Sequence, residues 1–199
     1  METIHTQGTS EIALLTEAGE VKTLLALFQE VADELGWQPG EWLAQCPSNS
    51  LHFGTIDRGE LAGGLQIVLP DSAGRFPCHR VWADLELPNP SQTAHITILA
   101  LGAEYRGREG LFWSLCVEMW RYCVAQKMEV VLLECTPPML KLYRRIGWPL
   151  RVIGELRMHW GEECYLCQMQ VLEFAGSILA RAIRSSVYRE LVCQAYRVA

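Results

Sequence analysis

The stretch Leu99-Ala100-Leu101-Gly102-Ala103-Glu104-Tyr105-Arg106-Gly107-Arg108-Glu109-Gly110-Leu111 decides how this chain is read. Its first residues are apolar and read as the end of a β-strand, its middle is a Gly/Arg-rich turn, and the residues after Gly110 open a helix. Such a turn leaves backbone N–H groups at a helix N-terminus free to hold a phosphate, and Arg106 and Arg108 add positive charge. The plain alternative is a tight turn in which Gly107 and Gly110 supply conformational freedom and both arginines are solvated.

Working outward, a strand over residues 95–101 leads into the turn, and the helix leaving it runs over about 110–126. Residues 130–133 form another strand ending in Glu134-Cys135-Thr136, after which Pro137-Pro138 start a shorter helix through Ile146. Two strands follow, over about 150–156 and 164–171. A final helix then carries Phe174, Ile178, Leu179, Ala182 and Ile183 on one face. Upstream, Val21, Leu24, Leu25, Phe28, Val31 and Leu35 lie at helical spacing, with Gly36 and Pro39 as the stop. Residues 51–56 and 61–69 flank Asp57-Arg58-Gly59-Glu60 as a β-hairpin closed by Pro70. Residues 71–93, polar around Val81-Trp82, read as an irregular connection reaching over a binding site. The sum is an α/β chain with a mixed central sheet flanked by helices.

With 199 residues, half of them hydrophobic, the chain suits one compact domain spanning 1–199 and closing on an amphipathic helix over about 172–196. Its net charge of −6 disfavours nucleic acid and anionic membranes and points to small molecules or proteins as partners. Membrane contact is conceivable only through the C-terminal helix. No run reaches the roughly 18 apolar residues of a spanning helix, and the polar N-terminus has no signal-like core, so a cytoplasmic location is expected. Most of the eight cysteines lie in apolar contexts and read as reduced core residues. Cys164-Tyr165-Leu166-Cys167, with His159 near it, invites a metal reading. Residues three apart on a strand point to opposite faces, however, so no metal site is expected.

The run Glu104-Tyr105-Arg106-Gly107-Arg108-Glu109-Gly110 resembles the acyl-CoA-binding turn of the GNAT superfamily, and Leu142-Tyr143-Arg144-Arg145-Ile146-Gly147-Trp148 resembles its Tyr-x-x-x-Gly-Phe/Trp segment. A narrower similarity covers most of residues 20–165. Val31-Ala32-Asp33-Glu34-Leu35-Gly36-Trp37, His52-Phe53-Gly54, Val81-Trp82 with Leu87-Pro88, and Gly147-Trp148-Pro149 resemble the GNAT-like autoinducer synthases and the long-chain N-acyl amino acid synthases. The resemblance implies a GNAT-type single domain in which an acyl thioester lies in a splayed V between the strands of 95–101 and 130–134. It also implies an acyl-CoA or acyl-phosphopantetheine co-substrate, no permanently bound cofactor, and acyl carrier protein or a CoA thioester as partner. Where the homoserine-lactone synthases carry an acidic cluster, a Glu with an Arg three residues on, and a further Arg, this chain has a lone Glu41, His95 with Ile98, and Gln66. A site for cationic S-adenosylmethionine would therefore lack its charged partners.

Acyl transfer from a thioester to an amine needs a fixed electrophile, an oxyanion donor, a base for the amine proton and an acid for the thiolate. The N–H groups from Arg106 to Gly110 would bind the pantetheine or CoA phosphate, and N–H groups at Leu101 and Gly102 would face the thioester carbonyl. By resemblance, Tyr143 protonates the thiolate. His95, with an ordinary pKa of about 6.5, is one candidate base, and Glu134 the other. Each has a structural alternative: a hydrogen-bonded strand histidine, a helix-start carboxylate and a packing tyrosine. The basic set Lys141, Arg144, Arg145, Arg151 and Arg157 is either a solvated face or a dock for an acidic carrier protein. The expected function is an acyltransferase moving an acyl group from acyl carrier protein or acyl-CoA to a small amine. The alternatives are a non-catalytic ligand- or partner-binding protein of the same fold and an acetyl-CoA-dependent N-acetyltransferase.

Overall fold

A computed structural model of the chain describes residues 2–7, 10–37, 47–87, 89–186 and 189. The strands are β1 (Glu2–Gln7), β2 (Ser10–Leu14), β3 (Ser50–Asp57), β4 (Glu60–Val68), β5 (Thr93–Leu101), β6 (Val130–Cys135), β7 (Arg151–His159) and β8 (Glu162–Gln170). The helices are α1 (Ala18–Leu35), α2 (Glu109–Ala125), α3 (Pro137–Arg145) and α4 (Val171–Ala182). Among these residues the strands make one sheet in the order β1-β2-β3-β4-β5-β6-β8-β7, with only β5 and β6 parallel. That is the expected mixed sheet flanked by helices.

Two strands extend the expected set at its N-terminal edge. In β2, Ile12 packs into the core under α2 while Ala13 packs under α1, so the strand is buried on both faces and lacks the alternation that marks a half-buried strand. Of the helix expected over about 172–196, α4 forms the first part and ends at Ala182, with residues 183–184 in a turn; residues 187–188 and 190–196, like Gln38 to Cys46 and Pro88, lie outside the described residues. Among the described residues no helix is long and apolar enough to cross a membrane.

The parallel pair opens early. Thr93 to Ile96 of β5 pair with Val130 to Leu133 of β6, and there the ladder stops. Beyond it β5 stays with β4, Leu101 lying opposite Gly63, while β6 stays with β8, Glu134 lying opposite Leu166. A bulge at Thr97 helps to turn β5 away, because Ile96 faces Ile67 and Ile98 faces Gln66 with one residue unmatched between them. The bulge also reverses the alternation. Ala94 and Ile96 face the α2 core before it, whereas Ile98 and Ala100 face α1 after it.

The side of the sheet opposite α2 is covered by α1 and by the 71–93 connection. Gly36 (φ 70°) ends α1 in the left-handed conformation, where Trp37 donates its N–H to Ala32 O. In the connection, Pro77–Arg80 and Pro90–Gln92 form short 3-10 turns, and Trp82 is buried with its indole N–H on Glu155 O at 2.9 Å. A Cβ at Gly154 would stand 2.6 Å from Trp82 Cδ1. Gly154→Ala is therefore expected to push Trp82 off the sheet and cost about 1–3 kcal/mol, measurable as a lower urea midpoint with altered tryptophan emission.

The β7–β8 hairpin turns at Trp160-Gly161, both with positive φ (61° and 96°). A two-residue turn of this hand suits the sheet twist but normally takes Asn or Gly first. Tryptophan there costs roughly 1–2 kcal/mol. The compensation is packing, since Trp160 is buried against Leu24, Phe28 and Ala32 of α1 and meets Trp37 edge-on at 4.8 Å.

Candidate active site

The gap between β5 and β6 is edged by backbone that no strand pairs. Gly102 donates its N–H to Ala62 O at 3.0 Å, so its amide is committed to β4 and does not face the gap as the sequence suggested. Because successive N–H groups of a strand point to opposite neighbours, Leu101's points to the open side. Of the two expected carbonyl-facing amides, Leu101 keeps the geometry for it.

The Gly/Arg turn is where the sequence placed it. Ala103–Tyr105 form a 3-10 turn, Gly107 takes φ 83°, and α2 starts after Arg108, whose own side chain does not cap the first N–H groups. A Cβ at Gly107 or Gly110 would meet nothing within 4 Å, so the backbone there is open to approach. Both arginines are half exposed, but each is held in an ion pair. Arg106 makes a bidentate pair with Glu34 of α1 at 2.6 and 2.7 Å and donates Nε–H to Leu101 O at 3.3 Å. Arg108 pairs with buried Asp57 at 2.6 Å and lies 5.1 Å over the Tyr105 ring. In this resting arrangement carboxylates of the protein itself hold the charges a phosphate would use.

His95 and Glu134, proposed from sequence as alternatives, come together. His95 lies opposite Leu132 across the parallel pair, so Glu134, two residues on, projects to the same face at the vertex of the gap. His95 Nε2 and Glu134 Oε2 are 3.0 Å apart, and both side chains are buried. Burial would raise the Glu134 carboxyl, but the charge and hydrogen bond of His95 and the charge of His159 outweigh it and hold the group below its ordinary value. An ionised Glu134 only accepts, so His95 Nε2 carries a hydrogen and, in the neutral ring, Nδ1 holds the lone pair. Nδ1 is buried and, among the described residues, has no hydrogen-bond partner. Phe76 of the connection stands edge-on to the ring at 6.1 Å, bearing out a connection that covers this face.

Tyr143 sits on the other side of the sheet. It is buried in the α2 core, stacked on Trp148 with ring centroids 4.5 Å apart, and burial together with the fields of Cys135 and Cys116 raises its hydroxyl strongly. The geometry thus gives Tyr143 a packing role, on the face of the sheet away from His95.

Gln66, standing where a charged residue was expected, is buried, with His52 Nε2 at 3.0 Å from its amide oxygen and its amide N–H donated to Thr97 Oγ1 at 2.7 Å. The basic set is partly consumed. Arg151 pairs with Glu173, Arg157 with Glu155 and Asp84, and Arg144 donates to Leu150 O, while Lys141 and Arg145 are exposed on α3. Cys164 packs under the connection and Cys167 in the α2 core, on opposite faces as strand geometry required. Sequence reading missed the part played by the β7–β8 turn. His159 Nδ1 lies 3.9 Å from Glu134 Oε1, and His159 Nε2 accepts the indole N–H of Trp160 at 2.5 Å. The available signal was a Trp-Gly pair in a hairpin turn, where a small polar residue is the norm.

No protein-family model matches the sequence, and no curated protein matches it. Solved structures match it in fold. FeeM, an N-acyl amino acid synthase from uncultured soil microbes, superposes with a TM-score of 0.72 at 15% identity over 84% of this chain and 94% of its own. BjaI, a CoA-dependent acyl-homoserine lactone synthase bound to SAM and isopentyl-CoA, superposes at 0.60 with 9% identity over 84% of this chain and 87% of its own. A Desulfovibrio desulfuricans protein described as an acetyltransferase of the GNAT family gives 0.57 at 11% identity over 81% and 99%. The chain has the GNAT fold, in the form found in these synthases.

Proposed function

We propose that this chain is an N-acyltransferase that moves an acyl group from the phosphopantetheine thioester of acyl carrier protein or CoA to a small amine. The observation that supports this most is the His95–Glu134 pair at the vertex of the gap, with a ring nitrogen on the histidine unpartnered among the described residues. The fold shared with FeeM agrees with it.

In this reading the pantetheine arm lies in the gap, its phosphate on the first N–H groups of α2 and Gly107, and its carbonyl oxygen on Leu101 N–H. The amine attacks the carbonyl carbon and gives its proton to His95 Nδ1, and Glu134 stabilises the imidazolium. The C–S bond breaks, and the departing thiolate takes the proton held by the His95 imidazolium. The amine proton ends on the thiol. Gln66, Thr97 and His52 make the neighbouring strand face neutral, which favours an uncharged or weakly charged acceptor over S-adenosylmethionine.

One observation favours the non-catalytic reading: Arg106 and Arg108 are already neutralised by Glu34 and Asp57. Under the acyltransferase reading these pairs exchange for the donor's phosphate. Glu34→Gln is then expected to tighten donor binding, by no more than about fivefold because the pair is exposed and screened, as read by calorimetric titration. Native mass spectrometry with acyl-CoA and acyl carrier protein thioesters of graded chain length tests the proposal as a whole. Retention of a thioester is expected. Retention of none overturns it, and retention of the acetyl form alone moves the assignment to an N-acetyltransferase.

A further inference from the structure

The acid–base pair does not stand alone, because the β7–β8 turn reaches it from the far side of the gap. Trp160 Nε1–H donates to His159 Nε2 at 2.5 Å. An indole nitrogen can only donate, so His159 Nε2 must be the acceptor, and the proton of the neutral ring sits on Nδ1. That nitrogen faces Glu134 Oε1 at 3.9 Å, while Glu134 Oε2 is the oxygen joined to His95. Trp82 holds the other side of the His159 ring edge-on at 5.8 Å. To place its indole, Trp160 occupies a left-handed backbone conformation (φ 61°) foreign to a bulky residue. Strain of this kind persists only where the surroundings fix it, and it concentrates at functional sites.

We propose that Trp160 and His159 are positioning residues: Trp160 locks His159 as the Nδ1–H tautomer, and His159 holds the Glu134 carboxylate so that His95 presents Nδ1 as the free base. At 3.9 Å the His159 N–H dipole acts electrostatically on Glu134, and apo-state contacts of this kind shorten when substrate closes the site. The inference rests on the acyltransferase reading for its purpose but not for its geometry. Cys78 of the connection and Cys164 of β8 lie on the Glu134 side of the sheet, while Cys135 and Cys167 lie in the α2 core behind it. Burial raises Cys78 and pushes Cys164 up to about 12, so these two thiols stay neutral and do not compete for the carboxylate.

The test uses the full chain with ¹⁵N-labelled histidine. NMR is expected to find the neutral His159 ring protonated on Nδ1 and unprotonated on Nε2, and to find this preference lost in Trp160→Phe. In kinetics, His159→Leu is expected to lower kcat about tenfold and move the acid limb of its pH profile upward, because Glu134, less well held, stabilises the His95 imidazolium more. His159→Asn, whose amide N–H stands near the place of Nδ1, is expected to restore most of the loss. A proton on His159 Nε2 in the wild type overturns the proposal, as does equal behaviour of the Asn and Leu variants at equal folded fraction. An inactive wild type showing the expected tautomer overturns the acyltransferase reading and leaves the tautomer lock standing.

Discussion

His95→Gln is expected to lower kcat by roughly 10²–10⁴-fold, the span of general-base catalysis, with thioester binding and folding retained. The glutamine amide can place an N–H near the position of imidazole Nε2, so Glu134 keeps the hydrogen bond it has at 3.0 Å. What the variant lacks is a titratable lone pair at the position of Nδ1, the buried nitrogen without a partner among the described residues. The base is therefore removed with little change to packing. Unchanged turnover would move the proton transfer to another group, whereas loss of binding together with turnover would mean that His95 shapes the gap rather than acting in it.

His95→Ala tests the same pair through stability. It removes the donor and leaves Glu134 buried beside Leu132 and Leu166 without the hydrogen bond from His95, at a cost of about 1–3 kcal/mol near pH 7. The pH dependence separates this from simple cavity formation. In the wild type the Glu134 pKa is lowered, so its contribution is fully present above the ordinary 4.5 and is lost as pH falls through the lower folded value. In the variant burial prevails and raises that pKa, so the penalty is present at neutral pH and shrinks as acid protonates the carboxyl. Urea unfolding at pH 7 and pH 5 is expected to show a smaller gap between variant and wild type at pH 5. A constant gap would mean that only packing was lost.

The elements around the site were readable because each has a local cause. Gly107 marks the turn before α2, Pro137-Pro138 starts α3, and Gly36 stops α1. What escaped was long-range. The meeting of His95 with Glu134 follows once β5 and β6 are known to be parallel with His95 opposite Leu132, but nothing within either strand reports that register. Glu34 and Asp57 reach the arginines from α1 and β3, 72 and 51 residues away, and these charges read locally as solvated faces. Tyr143 was legible as a packing tyrosine, but its stacking on Trp148 depends on the Gly147 turn (φ 95°) that brings the indole back over the helix.

The most direct measurement of the central claim is amine-dependent thiol release. Purified protein is mixed with acyl carrier protein or CoA charged with the acyl chain it retains best, a panel of small amines is added, and free thiol and N-acyl product are followed together. Wild-type protein is expected to release thiol and form amide in equal amounts with at least one amine, and His95→Gln to do neither while still retaining the thioester. Thioester retained by both proteins, with no amine drawing thiol or amide from the wild type, would contradict the claim and make this fold a binding module.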